Sequence, residues 1–522
     1  MMSKRDNPNI VYILADDLGY GDVSCLNPDG KIATPHIDRI SREGMTFRDA
    51  HSSSAVCSPS RYSILTGRYN WRSSLQSGIV RQYGSPLIAE DRLTVAGLLA
   101  RSGYHTGAIG KWHLGMGWDF EVTPEFMPDG DRFDSQEYPG NPPVTEQTRA
   151  LWHSAFSRPT TGGPTTRGFD WYFGVDVPNW PPYCFIENDR TVGIPSEYLP
   201  TRLFNHNQAS TPGPAMTYWN FEQLLPTWAQ KADEFITDSA RGEEPFFLYL
   251  PLTSPHTPIA PNAAWMCRSG LDSLYADFVM ETDATVGAVL DSLDRNAVAD
   301  NTIVMFTSDN GFAPYVGGSH LESQGHYPSA GFRGYKADAW DGGHRVPFFV
   351  RWPDVVAQGS TCDELVCLGD FMATCAEILH VDLPPDAAED SVSILPLLRG
   401  GDESVRDTLV HHSIQGKFAI REKRWKLVLC PGSGGAWSLR DEDAIRRGLP
   451  LVQLYDMERD PGEQTNLESS ERETVRGLIR SLEHIVGQGR STPGLARKND
   501  VPVDIWKLDT LPEVDSSVLD DY

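Results

Sequence analysis

The sequence predicts an α/β fold: a large mixed, mostly parallel sheet sandwiched by helices, with a smaller C-terminal α+β domain built on an antiparallel sheet. Short apolar runs without polar alternation, helical periodicity between them, and a change of texture past residue 404 are the observations that predict it. The run at 9–14, Asn-Ile-Val-Tyr-Ile-Leu, has the β-branched and aromatic content of a strand buried on both faces. Residues 92–102 place apolar side chains at three- and four-residue intervals, the stripe of a helix, and 106–109 read as the next strand. From 115 to 228 the periodicity fades among Pro, Gly and aromatics, including Trp118, Trp152, Trp171, Trp180, Trp219 and Trp228, which reads as elaborated surface loops. A strand at 245–252, a helix at 271–293 and strands at 302–306 and 347–351 follow. Past 404 come short polar strands at 418–421 and 425–429, a Gly-rich turn at 432–435, a helix at 470–486 and an acidic tail from 500 to 522. The expected division is a core domain over 1–403 and a C-terminal subdomain over 404–522, with no internal repeat.

At 522 residues the chain is long enough to bury a sizeable core. Its formal net charge of -26, from 71 acidic against 45 basic residues, repels polyphosphate backbones and anionic bilayers, so nucleic acid is not an expected partner. An anionic substrate requires cations gathered in one pocket against that field. No window of about 18 apolar residues exists, so no helix is expected to span a membrane. The eight cysteines are irregularly spaced and resemble neither a disulfide scaffold nor a zinc site, so most are expected to be buried thiols. Residues 1–9 carry Lys4, Arg5, Asp6 and Pro8 and leave no room for an apolar export signal. The expected location is cytoplasmic as written, or periplasmic or secreted if a signal has been removed.

Polar residues stand immediately after four of the predicted strands, where ligands bind in open α/β sheets. Asp16 and Asp17 follow the first, Lys111 and His113 the second, His256 the third, and Asp309 with Asn310 the fourth. Taken singly, Asp-Asp and Asp-Asn are ordinary turn and cap residues. Because both pairs end strands, they are expected to meet, and three carboxylates and an amide oxygen brought together call for a hard cation such as Ca²⁺ or Mg²⁺.

Cys57-Ser58-Pro59-Ser60-Arg61 is followed by Leu65-Thr66-Gly67-Arg68. Pro59 suits the first turn of a helix, which places Cys57 at or just before the end that attracts anions. Arg61 lies one turn along the same face. A lone cysteine in such a place is most often structural; the full string is what alters the reading.

That string matches the Cys-X-Pro-Ser-Arg signature of the type I sulfatases with its trailing Leu-Thr-Gly, and the chain resembles that family almost throughout. Further matching stretches are Val11 to Gly19, Gly110-Lys111-Trp112-His113-Leu114-Gly115, Ser254-Pro255-His256-Thr257-Pro258, Thr307-Ser308-Asp309-Asn310-Gly311, Gly334-Tyr335-Lys336, Asp341 to Pro347, Leu454-Tyr455-Asp456 and Asp460-Pro461-Gly462-Glu463. Asp341 stands where the family usually has Glu, which keeps the charge. The resemblance implies an alkaline-phosphatase-like fold, with 1–403 as the catalytic domain, and hydrolysis of sulfate monoesters by a sulfatase of the arylsulfatase type. It implies that a formylglycine-generating enzyme converts Cys57 to formylglycine, whose hydrate is the nucleophile. It further implies one divalent metal, Ca²⁺ favoured over Mg²⁺, held by Asp16, Asp17, Asp309, Asn310 and the residue derived from Cys57. Arg61 would stabilise the hydrate, Lys111 and Lys336 hold sulfate oxygens, His113 act on the second hydroxyl of the hydrate, and His256 donate to the leaving oxygen.

That set suits the chemistry, because a nucleophile approaching sulfur meets negative oxygens unless cations offset them. The stretch Gly334-Tyr335-Lys336-Ala337-Asp338 resembles bacterial sulfatases acting on sulfated glycans, so a sulfated carbohydrate is the expected substrate, with aryl sulfates as artificial ones. The aromatics between 115 and 228 read first as packing and second as a sugar platform. His320, between the metal and sulfate ligands in sequence, is the expected substrate contact. Two rival functions are a formylglycine-dependent phosphonate or phosphate monoester hydrolase and a catalytically silent glycan-binding homologue.

Overall fold

The strand Asn9–Asp16 is buried at every position, and its two faces feed two different cores. Ile10, Tyr12 and Leu14 pack with Val95, Leu98 and Leu99 of the helix Val95–Arg101 and with Phe371, Met372 and Cys375 of the helix Phe371–Ile378. Val11, Ile13 and Ala15 pack with Ile37 and Ile40 of the helix Pro35–Glu43, with Trp228 and Phe235 of Leu224–Ala240, and with Tyr275, Val279 and Val286 of Leu274–Arg295. A strand apolar on both faces must be covered on both, and period-two alternation sorts its side chains between the two layers. The structure, a computed structural model, describes residues 7–127, 143–200, 203, 210–511, 514 and 522. Expectations for the first six residues, and for the parts of the 115–228 region and of the acidic tail not in those ranges, lie outside the described residues.

The large sheet has ten strands in the order Ser360–Cys362, Met45–Phe47, Phe348–Arg351, Thr302–Ser308, Asn9–Asp16, Phe246–Pro255, His105–Lys111, Trp171–Val175, Ile186–Glu187 and Arg190–Thr191. The five central strands, from Thr302–Ser308 to Trp171–Val175, are parallel to one another, whereas Phe348–Arg351 and Ile186–Glu187 run antiparallel to their neighbours. Parallel strands end on one edge. Ala15 lies opposite Ser308 and Asp16 opposite Pro255, so the residues that follow three strands emerge side by side.

A second sheet is antiparallel, with Thr408–His412, Phe418–Glu422, Trp425–Val428 and Gln453–Asp456 in sequential order. Val475, Leu478, Ile479, Leu482 and Ile485 of the helix Arg472–Gln488 cover it, sharing a core with Leu409, Ile420, Leu427 and Leu454 and with Tyr69 and Trp71. Its strands are more buried than the polar strands expected: Phe418, Ala419 and Ile420 are wholly enclosed.

The described parts of the 115–228 region are also more than a set of surface loops. It contributes the sheet strand Trp171–Val175 and the helix Glu146–Phe156, and Trp152 and Trp228 are completely buried. Its aromatics pack edge to face with one another, as Trp152 does on Tyr198 and Phe173 on Trp228, and such packing leaves no periodic trace in sequence. All eight cysteines are free, six of them buried. Among the described residues no helix is long and apolar enough to cross a membrane.

Candidate active site

The edge formed by the parallel strand ends is crowded, and the backbone turns sharply to use it. Asp17 (φ 66°) and His113 (φ 55°) leave their strands in the left-handed region. That turn lets Asp17 share a site with Asp16, its neighbour on a strand where successive side chains would otherwise diverge. Gly110 (φ 119°) is required where its strand meets the next, because a Cβ there would stand 2.0 Å from the Pro251 carbonyl oxygen.

Cys57 is the first residue of the fully buried helix Cys57–Thr66. Its Sγ lies 3.8 Å from Asp16 Oδ1. Arg61, one turn on, donates through Nε (3.0 Å) and an Nη (2.8 Å) to Asp309 Oδ2 and through the other Nη to the Lys111 carbonyl (3.1 Å). Lys111 Nζ is 2.7 Å from Asp16, and Lys336 Nζ is 2.7 Å from Asp17. Asn310 Nδ2 donates to Asp17 Oδ1 at 2.8 Å, and the Asp17 amide to Asp309 Oδ1 at 3.2 Å. Three carboxylates therefore face three cations, all buried, and the set is balanced in charge. Within it Asp16 is held well below the usual carboxylate range: burial opposes its charge, but Lys111, His256 and Arg61 together prevail. Burial and the neighbouring Asp16 push Asp309 up to about 6 despite Arg61. Burial also pushes the Cys57 thiol up to about 12, so the unmodified residue stays protonated at neutral pH.

The two histidines at this edge differ. His113 Nε2 donates to the Val80 carbonyl at 3.1 Å, and its buried Nδ1 has no partner among the described residues, so it is a neutral imidazole with a free acceptor. Burial, with Lys111 and Arg61 adding to it, holds it well below the usual imidazole range. His256 Nδ1 is 2.6 Å from the Thr257 carbonyl, and its Nε2 faces Asp17 at 3.7 Å. Burial brings it down to about 4, against the opposing pull of Asp16 and Asp17.

The donor set fits a hard cation. Ligand atoms of Asp16, Asp17, Cys57 and His256 lie within 4.8 Å of one another. Asn310 Oδ1, the amide oxygen beside Asp17, is buried without a hydrogen-bond partner among the described residues. A buried acceptor left without a donor is costly, and a cation among carboxylates satisfies it.

Residues 8–381 match the family model described as Sulfatase. The chain belongs to the sulfatase family. Residues 336–488 of this sulfatase also match the model described as N-sulphoglucosamine sulphohydrolase, C-terminal. It is 31% identical to an N-acetylgalactosamine-6-O-sulfatase of Bacteroides thetaiotaomicron, over 92% of this chain and 93% of that one, and 30% identical to a steryl-sulfatase of Rattus norvegicus, over 90% and 87%. A solved structure from work on the metabolism of multiple glycosaminoglycans by Bacteroides thetaiotaomicron superposes with a TM-score of 0.77 at 30% identity, covering 92% of this chain and 99% of that one. A phosphonate monoester hydrolase of Agrobacterium radiobacter shares the fold, at a TM-score of 0.55 and 18% identity.

Every residue proposed from sequence for metal, nucleophile or proton transfer is brought to one edge of this sulfatase. His320 is not. It lies on the short helix Gly318–Ser323, more than half exposed, with its Nε2 3.4 Å from Asp272. Five residues earlier, Tyr315 is the aromatic that the sequence reading missed: burial raises its phenol, and the nearby charge of Lys336 opposes that. A second unanticipated group stands behind Asp17, where Asp22 accepts from Tyr275 (2.5 Å), His326 (2.8 Å) and the Gly19 amide (2.8 Å). Neither belongs to a spaced motif, so only position could have found them.

Proposed function

We propose that this sulfatase hydrolyses sulfate monoesters of carbohydrates, with residue 57 acting as formylglycine and one divalent cation bound beside it. The observation that carries the reading is the charge-balanced cluster around Cys57, in which Asp16, Asp17 and Asp309 meet Arg61, Lys111 and Lys336. Asp16, Asp17, Asp309, Asn310 and residue 57 would hold the cation, and calcium suits this set of carboxylates and an amide oxygen. When bound, the cation and the formylglycine hydrate supply electrophilic charge and a hydroxyl nucleophile that a thiol lacks. A divalent ion added to a balanced cluster makes the pocket positive, which suits an anionic ester in a chain of overall charge -26.

The protein's own groups divide the remaining work. Arg61 is fixed by Asp309 and the Lys111 carbonyl, so its charge faces the helix N-terminus without reorganisation. Lys111 and Lys336 are placed to exchange their carboxylate partners for sulfate oxygens. His113, neutral with Nδ1 free, is suited to take the proton of a hydroxyl at position 57. His256 would give a proton to the leaving oxygen. That role needs the imidazolium, which burial disfavours and an anionic ester favours. The carbohydrate assignment draws on the sequence around Lys336 and on the similarity to an N-acetylgalactosamine-6-O-sulfatase.

The test is release of inorganic sulfate from 6-O-sulfated N-acetylgalactosamine by protein co-expressed with a formylglycine-generating enzyme, beside a phosphonate monoester. Chelation should abolish turnover and lower the melting temperature, with calcium restoring both. Phosphonate cleavage without sulfate release would overturn the reading.

A further inference from the structure

Trp437 is 42% exposed, although the large apolar side chains of the antiparallel sheet near it in sequence are enclosed in a core. It sits on the Gly-rich segment after the strand Trp425–Val428, and its ring centroid is 5.0 Å from that of Tyr315, tilted by 48°. Tyr315 in turn feels the charges of Lys336 and Asp17, which are joined by an ion pair of 2.7 Å. An exposed ring thus packs on a tyrosine that lies within reach of the Lys336 charge.

The loop carrying Trp437 is pinned to the segment that carries Lys336. Ala339 donates to the Ser433 carbonyl at 2.8 Å, and Ser438 Oγ donates to Asp338. The amides of Gly432 and Gly434 both donate to Asp441 Oδ1, at 3.0 and 3.2 Å. Gly435 leaves no space for a side chain: a Cβ there would stand 1.9 Å from Asp338 Oδ1. A large apolar ring held rigidly beside a polar pocket has already lost its conformational freedom, so stacking on it costs little further entropy. The flat apolar face of a pyranose suits such a ring. In a protein of net charge -26 an uncharged contact to a sulfated chain avoids the overall repulsion.

We propose that Trp437, seated on Tyr315, is the stacking platform for the sugar ring adjoining the sulfated one, so that the C-terminal sheet contributes to substrate selection. The inference rests on the carbohydrate reading above. It is tested by steady-state kinetics of the calcium-loaded, formylglycine-bearing protein on 4-nitrophenyl sulfate, on 6-O-sulfated N-acetylgalactosamine, and on a disaccharide with that sugar at its non-reducing end. Trp437→Ala should raise KM for the disaccharide about tenfold with kcat within about twofold, and leave both parameters for the aryl ester unchanged. Trp437→Phe should retain disaccharide KM within about threefold. Calorimetric binding of the disaccharide to Cys57→Ser, with and without Trp437→Ala, should show the same ratio in proteins of equal melting temperature. An unchanged disaccharide KM, or an equal loss on the aryl ester, overturns the platform. A wild-type protein that cleaves the aryl ester and neither sugar sulfate sinks the carbohydrate reading, and the platform with it.

Discussion

His256 and His113 show at the scale of single residues how hydrogen bonds assign proton tasks. Each imidazole has one nitrogen against a backbone carbonyl, and the other is left for the site. If His256 serves the leaving oxygen, its removal must matter most where that oxygen is a poor leaving group. His256→Ala is expected to lower kcat by about 10²–10⁴ on a sugar sulfate and far less on 4-nitrophenyl sulfate, whose phenolate departs without a proton. Equal losses on the two esters would argue against the acid role. Asp16, Asp17, Lys111, His113, His256, Asp309 and Asn310 were legible in sequence because polar side chains directly after apolar runs are conspicuous, whereas Cys57, Arg61 and Lys336 stood out only through the family signature. Tyr315 was not legible, since a tyrosine in a Pro-flanked turn carries no spacing signal, and His320 was chosen by its place in the chain, although its neighbour in space is Asp272.

Secondary-structure elements bring those residues together through strand ends and one tight contact. The carboxyl ends of Asn9–Asp16, His105–Lys111, Phe246–Pro255 and Thr302–Ser308 share an edge because the strands are parallel, and apolar runs free of alternation announced that arrangement. The strand Trp171–Val175 escaped notice because Gly174 interrupts it and the surrounding region shows no period. The crossing at Gly110 is expected to tolerate no side chain. Gly110→Ala should cost at least about 2 kcal/mol in denaturant unfolding, since it combines a positive φ with a contact to the Pro251 carbonyl. A loss below about 0.5 kcal/mol would mean that the two strands separate easily there.

Across the whole molecule, a buried histidine network joins the small antiparallel sheet to the strand Ala50–His51, which pairs with Val366–Cys367, and to the short helix Asp341–His344. His51 Nε2 is 2.8 Å from Asp49, His51 and His344 share an Nδ1–Nδ1 hydrogen bond of 3.0 Å, and Lys426 donates to His344 Nε2 at 3.1 Å. His411, from the small sheet, stacks on His344 with ring centroids 3.8 Å apart. Burial holds all three histidines below the ordinary imidazole value of 6.5. These three sites therefore bind fewer protons in the folded chain than in the unfolded one below 6.5, and their contribution to stability rises with pH through that window, whereas carboxyls raised by burial, such as Asp309, contribute in the opposite sense. Each such group contributes at most about 1.4 kcal/mol per pH unit. The difference in melting temperature between the wild type and His411→Phe, which keeps a ring on His344, is expected to move in the variant's favour as pH falls from 7.5 to 5.5. An identical slope in the variant would remove His411 from the account. No sequence pattern pairs His51 with His344 and His411, because the contact exists only once the small sheet docks on the elements that carry His51 and His344.

The central claim concerns one side chain. Mass spectrometry of the tryptic peptide spanning 49–61, from protein co-expressed with a formylglycine-generating enzyme, reads the state of residue 57 directly. An aldehyde is expected at that position, with sulfate release rising in proportion to its occupancy. A peptide carrying only the thiol, in protein that still releases sulfate, would contradict it.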